Sequence, residues 1–128
     1  MSNIDIISDL YRGFATRDFK KLRTLLSDQI EWRQSPGFPG GEVRIGVEAV
    51  LSGIVGTFER DWQGWRFHAG TFLDAGDTVV VLGAYRAQNR STSKSVDSET
   101  AHVFDLEAGR VVRFRQYSDT KAIWDAMA

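Results

Sequence analysis

The chain has 128 residues, of which 42% are hydrophobic and 26% charged, and its formal net charge is −1. This length fits a single domain spanning residues 1–128, and the even charge balance argues against a nucleic-acid partner, which would favour a strongly basic face. The absence of cysteine excludes disulfides and thiolate metal sites.

The start of the chain, Met1 to Asp5, lacks the basic segment and apolar run that a secretory signal requires. No apolar stretch approaches the length that spans a bilayer. We therefore expect a cytoplasmic protein without a membrane partner.

The first 26 residues carry apolar side chains at helical spacing. We expect a first amphipathic helix over residues 3–15 and a second short helix that begins after Asp18, which is a good capping residue. The inward-facing side chains of the two helices are Ile6, Ile7, Leu10, Tyr11 and Phe14, then Phe19, Leu22, Leu25 and Leu26.

The period then changes to two, because Ile30, Trp32 and Gln34 alternate with polar neighbours. This pattern predicts a strand with one buried face. Residues 36–41 contain both prolines and three glycines, which indicates a loop. A third helix is expected over residues 47–58.

From Trp65 onward we expect four meandering strands and a short closing helix capped by Asp119. The run Val79 to Leu82 is apolar at every position, which predicts a central strand that is covered on both faces. Helices on one face of such a sheet give an α+β fold with a pocket under the curved sheet. The strands are expected over residues 65–73, 78–89, 96–106 and 110–118.

Several segments in this order resemble the SnoaL-like polyketide cyclases, within the superfamily of ketosteroid isomerase, limonene epoxide hydrolase and nuclear transport factor 2. The segments are 11–18, 26–32, 36–46, 76–82 and 102–119. The resemblance implies a cystatin-like cone in which a curved mixed sheet is wrapped by three N-terminal helices, with a short C-terminal helix. It also implies a homodimer formed through the convex face of the sheet.

The resemblance places neutral residues where relatives carry catalytic groups. The general base of the isomerase falls on Gln34, its oxyanion-hole acid on Ala101 and its tyrosine on Leu10. The water-activating carboxylate of the epoxide hydrolase falls on Gln116. Because an amide does not titrate, neither glutamine can take a proton from carbon or water.

Strand parity places Gln34 and Gln116 on the covered face, where they either orient a ligand or satisfy each other and the backbone. Tyr85 is either a phenol presented to a ligand or a core residue. The aromatic side chains that either line a pocket mouth or simply pack are Trp32, Phe38, Phe58 and Trp62. The predicted ligand-binding set is Trp32, Gln34, Phe58, Tyr85, Phe114 and Gln116.

The candidate proton acceptors are Asp119, Asp105 and His102. Capping is the stronger explanation for Asp119, and Asp105 has inward parity beside a turn. His102 alternates with Ala101 and Val103, which we expect to point inward, so its imidazole is predicted on the convex surface. His68 is expected to be exposed, and two histidines on different faces do not form a metal site.

We favour a small-molecule-binding domain for an apolar, polyketide-like or steroid-like ligand, without a metal or other cofactor. One alternative is an isomerase, cyclase or hydratase that uses a non-standard base. A further alternative is an oligomerisation or protein-binding domain, which an exposed apolar patch would favour.

Overall fold

A six-stranded sheet and four helices form the part of the chain that the structure, a computed structural model, describes, namely residues 1–54 and 56–128. The α+β prediction is confirmed. None of these helices has the length and apolar composition that crossing a bilayer requires. In chain order the elements are α1 (Asn3–Thr16), α2 (Phe19–Leu25), β1 (Leu26–Arg33), β2 (Val43–Ile45), α3 (Val47–Ile54), β3 (Trp62–Ala75), β4 (Thr78–Asn89), β5 (Ser95–Glu107), β6 (Arg110–Ser118) and α4 (Thr120–Met127).

Side-chain caps fix the starts of three helices. Ser2 and Asp5 form a reciprocal capping box at α1, and Asp18 accepts a hydrogen bond from the backbone N–H of Lys21 at α2. Asp119 accepts from the backbone N–H of Ala122 at α4 over 3.3 Å. These bonds satisfy backbone donors that the first turn of a helix leaves without partners.

The strands are ordered β2-β1-β6-β5-β4-β3, and β1 pairs with β6 in parallel while all other neighbours are antiparallel. The sheet is therefore mixed, as the family resemblance implies. The short edge strand β2 was not predicted, because three residues after a glycine-rich loop carry too little periodicity to be recognised. It pairs with the end of β1 through Trp32 and Arg44.

The third helix is shorter than predicted. It ends at Ile54, residue 55 lies outside the described residues, and residues 56–61 form turns. Gly56 has a φ of 77°, a left-handed conformation that commonly terminates helices. Phe58, expected on the helix, lies instead in the turn region and stacks on Trp65 with ring centroids 4.4 Å apart.

The phase predicted for β5 is wrong by one residue. Ser98, Thr100 and His102 are buried on the inner face, whereas Ala101 and Val103 are only partly buried on the outer face. The prediction assumed that the apolar residues of the strand point inward. Ser98, Thr100 and His102 can be buried because hydrogen bonds inside the fold satisfy them, whereas the apolar Ala101 and Val103 lie outward, so the assumption fails in this stretch of the strand.

Asp105 belongs to the same corrected phase and faces outward. Its carboxylate lies 3.1 Å from the guanidinium of Arg115 and 3.8 Å from that of Arg113, and it accepts a hydrogen bond from the hydroxyl of Thr78 over 2.7 Å. The predicted inward parity of Asp105 is therefore wrong. The carboxylate serves an ion-pair network on the outside of the sheet.

The outer face of the sheet carries an apolar row across three strands. Leu82 in β4 lies opposite Ala101 in β5, which lies opposite Tyr117 in β6. Leu82 is 43% exposed and Tyr117 is 55% exposed. The strand β4 lies between two other strands, as predicted. Its inner-face residues Val79 and Val81 are 0% exposed, and within the described residues this inner face alone is covered.

Candidate functional site

A cavity of about 750 Å³ lies between the inner face of the sheet and the helices. Its volume is within the range of small-molecule sites, roughly 300–1,000 Å³. The walls come from α1, β1, the loop after β1, the region after α3 and strands β3 to β6. The six residues of the predicted ligand-binding set all line it, namely Trp32, Gln34, Phe58, Tyr85, Phe114 and Gln116.

Aromatic rings form a large part of the cavity wall. Trp32 stacks on Phe114 with centroids 3.9 Å apart, and Trp65 stacks on Tyr85 at 5.1 Å. Phe38 also lines the cavity. Trp62 does not line it; this side chain is 2% exposed and packs in a hydrophobic cluster with Phe38 and Tyr85. Such a surface suits a flat, largely apolar molecule.

The loop after β1 is held in place by the C-terminal helix. The indole N–H of Trp124 in α4 donates to the backbone carbonyl of Gly37 over 2.6 Å. Phe38, the next residue in the loop, is 2% exposed and packs against Tyr85 at a centroid distance of 5.6 Å. The helix α4 therefore fixes one end of the cavity without contributing a side chain to its lining.

Four polar side chains form a continuous hydrogen-bonded network inside the cavity. The hydroxyl oxygen of Tyr11 lies 2.7 Å from Nδ1 of His102, and Nε2 of the same ring lies 2.8 Å from the hydroxyl oxygen of Tyr85. Nε2 of Gln116 donates to Tyr85 over 2.9 Å. His102, predicted on the convex surface, is therefore the centre of the inner polar group, and this corrects the prediction.

The direction of the network follows from its fixed end. The backbone N–H of Ser35 donates to Oε1 of Gln116 over 3.2 Å, so the amide nitrogen must face Tyr85. If Nε2 of His102 carried the proton, the buried Tyr85 hydroxyl hydrogen would have no acceptor in the network, at a cost of about 1–3 kcal/mol. We therefore assign the proton to Nδ1. Tyr85 then donates to Nε2, Nδ1 donates to Tyr11, and the Tyr11 hydroxyl hydrogen is left for the cavity.

Burial keeps the three titratable groups of this network neutral. It lowers the pKa of His102 from 6.5 to about 3, because the apolar surroundings disfavour the imidazolium. Burial also raises the pKa of Tyr11 and of Tyr85, and in Tyr11 the nearby Tyr85 adds to this effect. The network donates and accepts hydrogen bonds at neutral pH and does not take up protons.

Gln34 presents its amide nitrogen to the cavity. A guanidinium N–H of Arg44 donates to Oε1 of Gln34 over 2.8 Å, and because arginine can only donate, this contact fixes the amide orientation. Among the described residues no acceptor binds the amide nitrogen of Gln34. The Arg44 side chain is 14% exposed and also pairs with Glu42 at 3.2 Å, so it is held firmly behind the amide.

The structure separates the three predicted proton acceptors. His102 lines the cavity, whereas Asp105 and Asp119 are not among its lining residues. Asp119 caps α4, in agreement with the stronger of its two explanations. His68 is exposed, as predicted, so the two histidines lie on different sides of the sheet.

Sequence reasoning missed some residues of the site. Tyr11 was predicted to face inward, but the aligned tyrosine position was placed on Leu10, which lines the cavity and has no polar side chain. Ala101, aligned with an oxyanion-hole acid, faces outward, and His102 occupies the inner position. Arg44 could not be found, since nothing in a three-residue edge strand predicts its contact with Gln34.

Charged residues at the cavity edge were also missed. They are Arg12, Arg17, Glu59 and Arg66, and all four side chains are exposed. Glu59 is the one carboxylate among the described lining residues, and it forms an ion pair with Arg17. The cavity thus has a neutral polar interior and a charged rim.

Comparison with known proteins identifies the family. The SnoaL-like domain model matches residues 7–114, while a search of curated proteins found no match.

Similar solved structures cover almost the whole chain. A nuclear-transport-factor-2-like protein from Burkholderia thailandensis is 29% identical, with a TM-score of 0.91 over 100% of this chain and 98% of that one. A protein of the same type and unknown function from Burkholderia pseudomallei is 23% identical, with a TM-score of 0.86 over 100% and 99%. TerC, co-crystallised with polyporic acid, is 22% identical, with a TM-score of 0.83 over 98% and 97%. The chain therefore belongs to the SnoaL-like domain family and has the nuclear-transport-factor-2-like fold.

Proposed function

We propose that this domain binds a flat, largely apolar small molecule of the polyketide-like or steroid-like kind, and that an acceptor oxygen of this ligand binds the inner polar groups of the cavity. The observation that carries the proposal is that these groups present hydrogen-bond donors without partners. They are the hydroxyl of Tyr11 and the amide nitrogen of Gln34, in a cavity with many aromatic side chains in its wall.

A ligand with a carbonyl oxygen suits this arrangement better than a hydrocarbon does. Buried donors without acceptors carry a desolvation cost that an acceptor oxygen relieves. The aromatic walls, including the Trp32–Phe114 stack, add apolar contact area for a planar ring system. TerC, which has the same fold, was co-crystallised with polyporic acid, and this supports small-molecule binding by a protein of this fold.

Binding is favoured over proton-transfer catalysis. An isomerase, cyclase or hydratase of the expected kind needs a base, and both amides are unable to titrate. Both ring nitrogens of His102 are bonded to phenols, and its low pKa makes it a weak base. Glu59 is engaged by Arg17 at the rim. An enzymatic role would have to rest on polarisation of the substrate by the donors of Tyr11 and Gln34.

The binding proposal can be tested with 2-acetylnaphthalene and 2-ethylnaphthalene, which differ in the carbonyl oxygen. We expect the ketone to bind more tightly by calorimetry, and Tyr11→Phe to remove most of this difference. Tyr117→Phe, on the outer face, is the matched control. Equal affinity of the wild-type protein for the two compounds would contradict the proposal. Recovery of a chemically altered ketone by mass spectrometry would favour an enzyme instead.

We also propose that two copies of the chain pair through the outer face of the sheet. The exposed Leu82–Ala101–Tyr117 row supports this, since an apolar row bordered by ion pairs can meet its own copy about a two-fold axis. We expect Leu82→Arg to produce monomers in sedimentation analysis, while Gln63→Arg at an exposed position of β3 keeps the dimer. A monomeric wild-type protein would refute the pairing.

A further inference from the structure

The two cavity donors that have no acceptor among the described residues, the Tyr11 hydroxyl and the Gln34 amide nitrogen, belong to opposite sides of the cavity. Gln34 follows the last residue of β1, whereas Tyr11 is bound to His102 of β5, and β6 lies between these strands. In β6, Gln116 lies directly opposite His102 and accepts from the backbone N–H of Ser35. Because neighbouring strands lie about 4.8 Å apart, the backbones of Gln34 and His102 are separated by about 10 Å.

The two donor side chains do not close this gap. Oε1 of Gln34 is bonded to Arg44 of β2, which lies on the side of β1 away from β6. The ring of Tyr11 lies on the other side and stacks on Phe67 of β3, with centroids 5.4 Å apart. One oxygen that accepts from both donors would need them within about 6 Å of each other, the sum of two hydrogen bonds. Two acceptor atoms are therefore needed to satisfy the two donors.

Aromatic rings connect the two donors along the cavity wall. Trp32 of β1 stacks on Phe114 of β6 with centroids 3.9 Å apart, and Phe114 meets His102 of β5 edge to face at 4.8 Å. All three rings line the cavity. A flat apolar skeleton can lie on these rings with one end at each donor.

Packing around Arg44 holds the amide of Gln34 in place. The guanidinium pairs with Glu42 at 3.2 Å and packs against Gly53 of α3, where a Cβ atom would collide with Nε. Glycine is unfavourable in a helix, and here its presence is explained by the space that the guanidinium occupies. Since arginine can only donate, the amide oxygen stays on Arg44 and the amide nitrogen is left for a ligand.

We propose that the ligand carries two acceptor oxygens at opposite ends of a flat apolar skeleton, as a diketone does. The Tyr11 hydroxyl binds one oxygen and the Gln34 amide binds the other, and Arg44 is a positioning residue that keeps the amide nitrogen toward the cavity. This inference rests on the proposed binding function and specifies its ligand class. A ligand with a single oxygen leaves one buried donor without an acceptor, which lowers its affinity.

The test uses two pairs of compounds that differ in length, each pair being a diketone and a monoketone of the same shape. The pairs are 2,6-diacetylnaphthalene with 2-acetyl-6-isopropenylnaphthalene, and 1,4-diacetylbenzene with 4-isopropenylacetophenone. We expect the wild-type protein to bind at least one diketone about fivefold more tightly than its monoketone by calorimetry, the scale of one neutral hydrogen bond.

Variants of the second donor sharpen the test. Gln34→Met should remove the preference for the diketone, because methionine keeps the length of the side chain and removes the donor. Arg44→Met should weaken the preference, since the released amide can turn its oxygen toward the cavity, and Arg44→Lys should restore most of it by keeping a charged donor. Arg33→Met, at an exposed position of β1, is the matched control and should keep the preference.

Each preference is a ratio of two affinities for one protein, so a lower folded fraction of a variant affects both compounds alike. Equal binding of both diketones and their monoketones by the wild-type protein would overturn this inference, as would a preference that survives Gln34→Met. In either case the binding function stands if 2-acetylnaphthalene still binds more tightly than 2-ethylnaphthalene. If that difference is absent as well, both proposals fail.

Discussion

Gln116 donates an amide N–H to the hydroxyl oxygen of Tyr85 across 2.9 Å, and this bond fixes the orientation of the protons in the inner network. With its oxygen accepting from Gln116, Tyr85 can direct its own hydrogen only to Nε2 of His102, 2.8 Å away. The opposite ring nitrogen then donates to Tyr11. Gln116 does not contact Tyr11, yet it determines that the Tyr11 hydroxyl donates toward the cavity.

Gln116→Glu should reverse the network. An ionised carboxylate accepts from the hydroxyl of Tyr85, so Nε2 of His102 must become the donor and Nδ1 the acceptor of the Tyr11 hydrogen. Nitrogen NMR of labelled His102 at pH 8 should show the proton on Nδ1 in the wild-type protein and on Nε2 in the variant. The ketone probe should also bind less tightly to the variant. An unchanged tautomer would show that Gln116 does not set the direction.

The stability of the protein should fall as the pH is lowered below 6.5. His102 has a pKa of 6.5 when unfolded and about 3 when folded, so between these values the unfolded chain binds more protons. The free energy of unfolding should therefore decrease by about 2 kcal/mol between pH 7 and pH 5 from this residue alone. Urea unfolding at pH 7 and at pH 5 measures this change in the free energy of unfolding.

His102→Gln should flatten this pH dependence, because it removes the imidazole from the buried position. The matched control is His68→Gln, at an exposed position outside the cavity, which should keep the steep dependence. If the two variants behaved alike, the buried imidazole would not be the source of the pH dependence of stability.

Asp119→Ala should destabilise the protein without changing ligand affinity. The side chain caps α4 and does not line the cavity, and loss of such a cap costs about 1 kcal/mol. Asp119→Asn should restore most of the stability, since asparagine is an equally good cap. Thermal unfolding and calorimetry with the ketone probe separate the two effects. A large loss of affinity in both variants would return Asp119 to the functional residues.

Trp124→Phe should loosen the loop that carries Phe38. The change removes the 2.6 Å hydrogen bond to the carbonyl of Gly37 but keeps an aromatic ring on α4. A loss of about 1 kcal/mol is expected, or a few degrees in the melting temperature. Faster proteolysis within residues 36–41 is the specific readout. Lys121→Gln, on the same helix but paired only with Asp125, is the control and should leave the loop protected.

Simple periodicity was enough to predict most of the elements and the two inward-facing amides. Gln34 and Gln116 share the parity of Trp32 and Phe114, and both are buried, at 7% and 3% exposure. These strands have strongly apolar inner faces, so the phase is clear. The caps at Asp18 and Asp119 could also be predicted from the sequence, because a cap depends on local chemistry.

The predicted phase of β5 is wrong because the strand buries the polar Ser98, Thr100 and His102 and places the apolar Ala101 and Val103 on the outer face. The hairpin register contains the information that the alternation lacks: His102 lies directly opposite Val81, and residues directly opposite share a face. Since Val81 was expected to be inward, counting across the turn would have placed His102 inside. The contact of Arg44 with Gln34 could not be predicted from the sequence, because it depends on the path of the loop between β1 and β2.

The parallel pairing of β1 with β6 constrains when the cavity can form during biosynthesis. Trp32 lies beside Phe114, so the wall that joins them needs a strand from near the beginning of the chain and one from near its end. Until residue 118 has left the ribosome, β1 lacks its parallel neighbour and Trp32 lacks the ring of Phe114. The nascent chain therefore exposes the apolar side chains of β1 throughout most of translation, and chaperone contacts should concentrate on this strand.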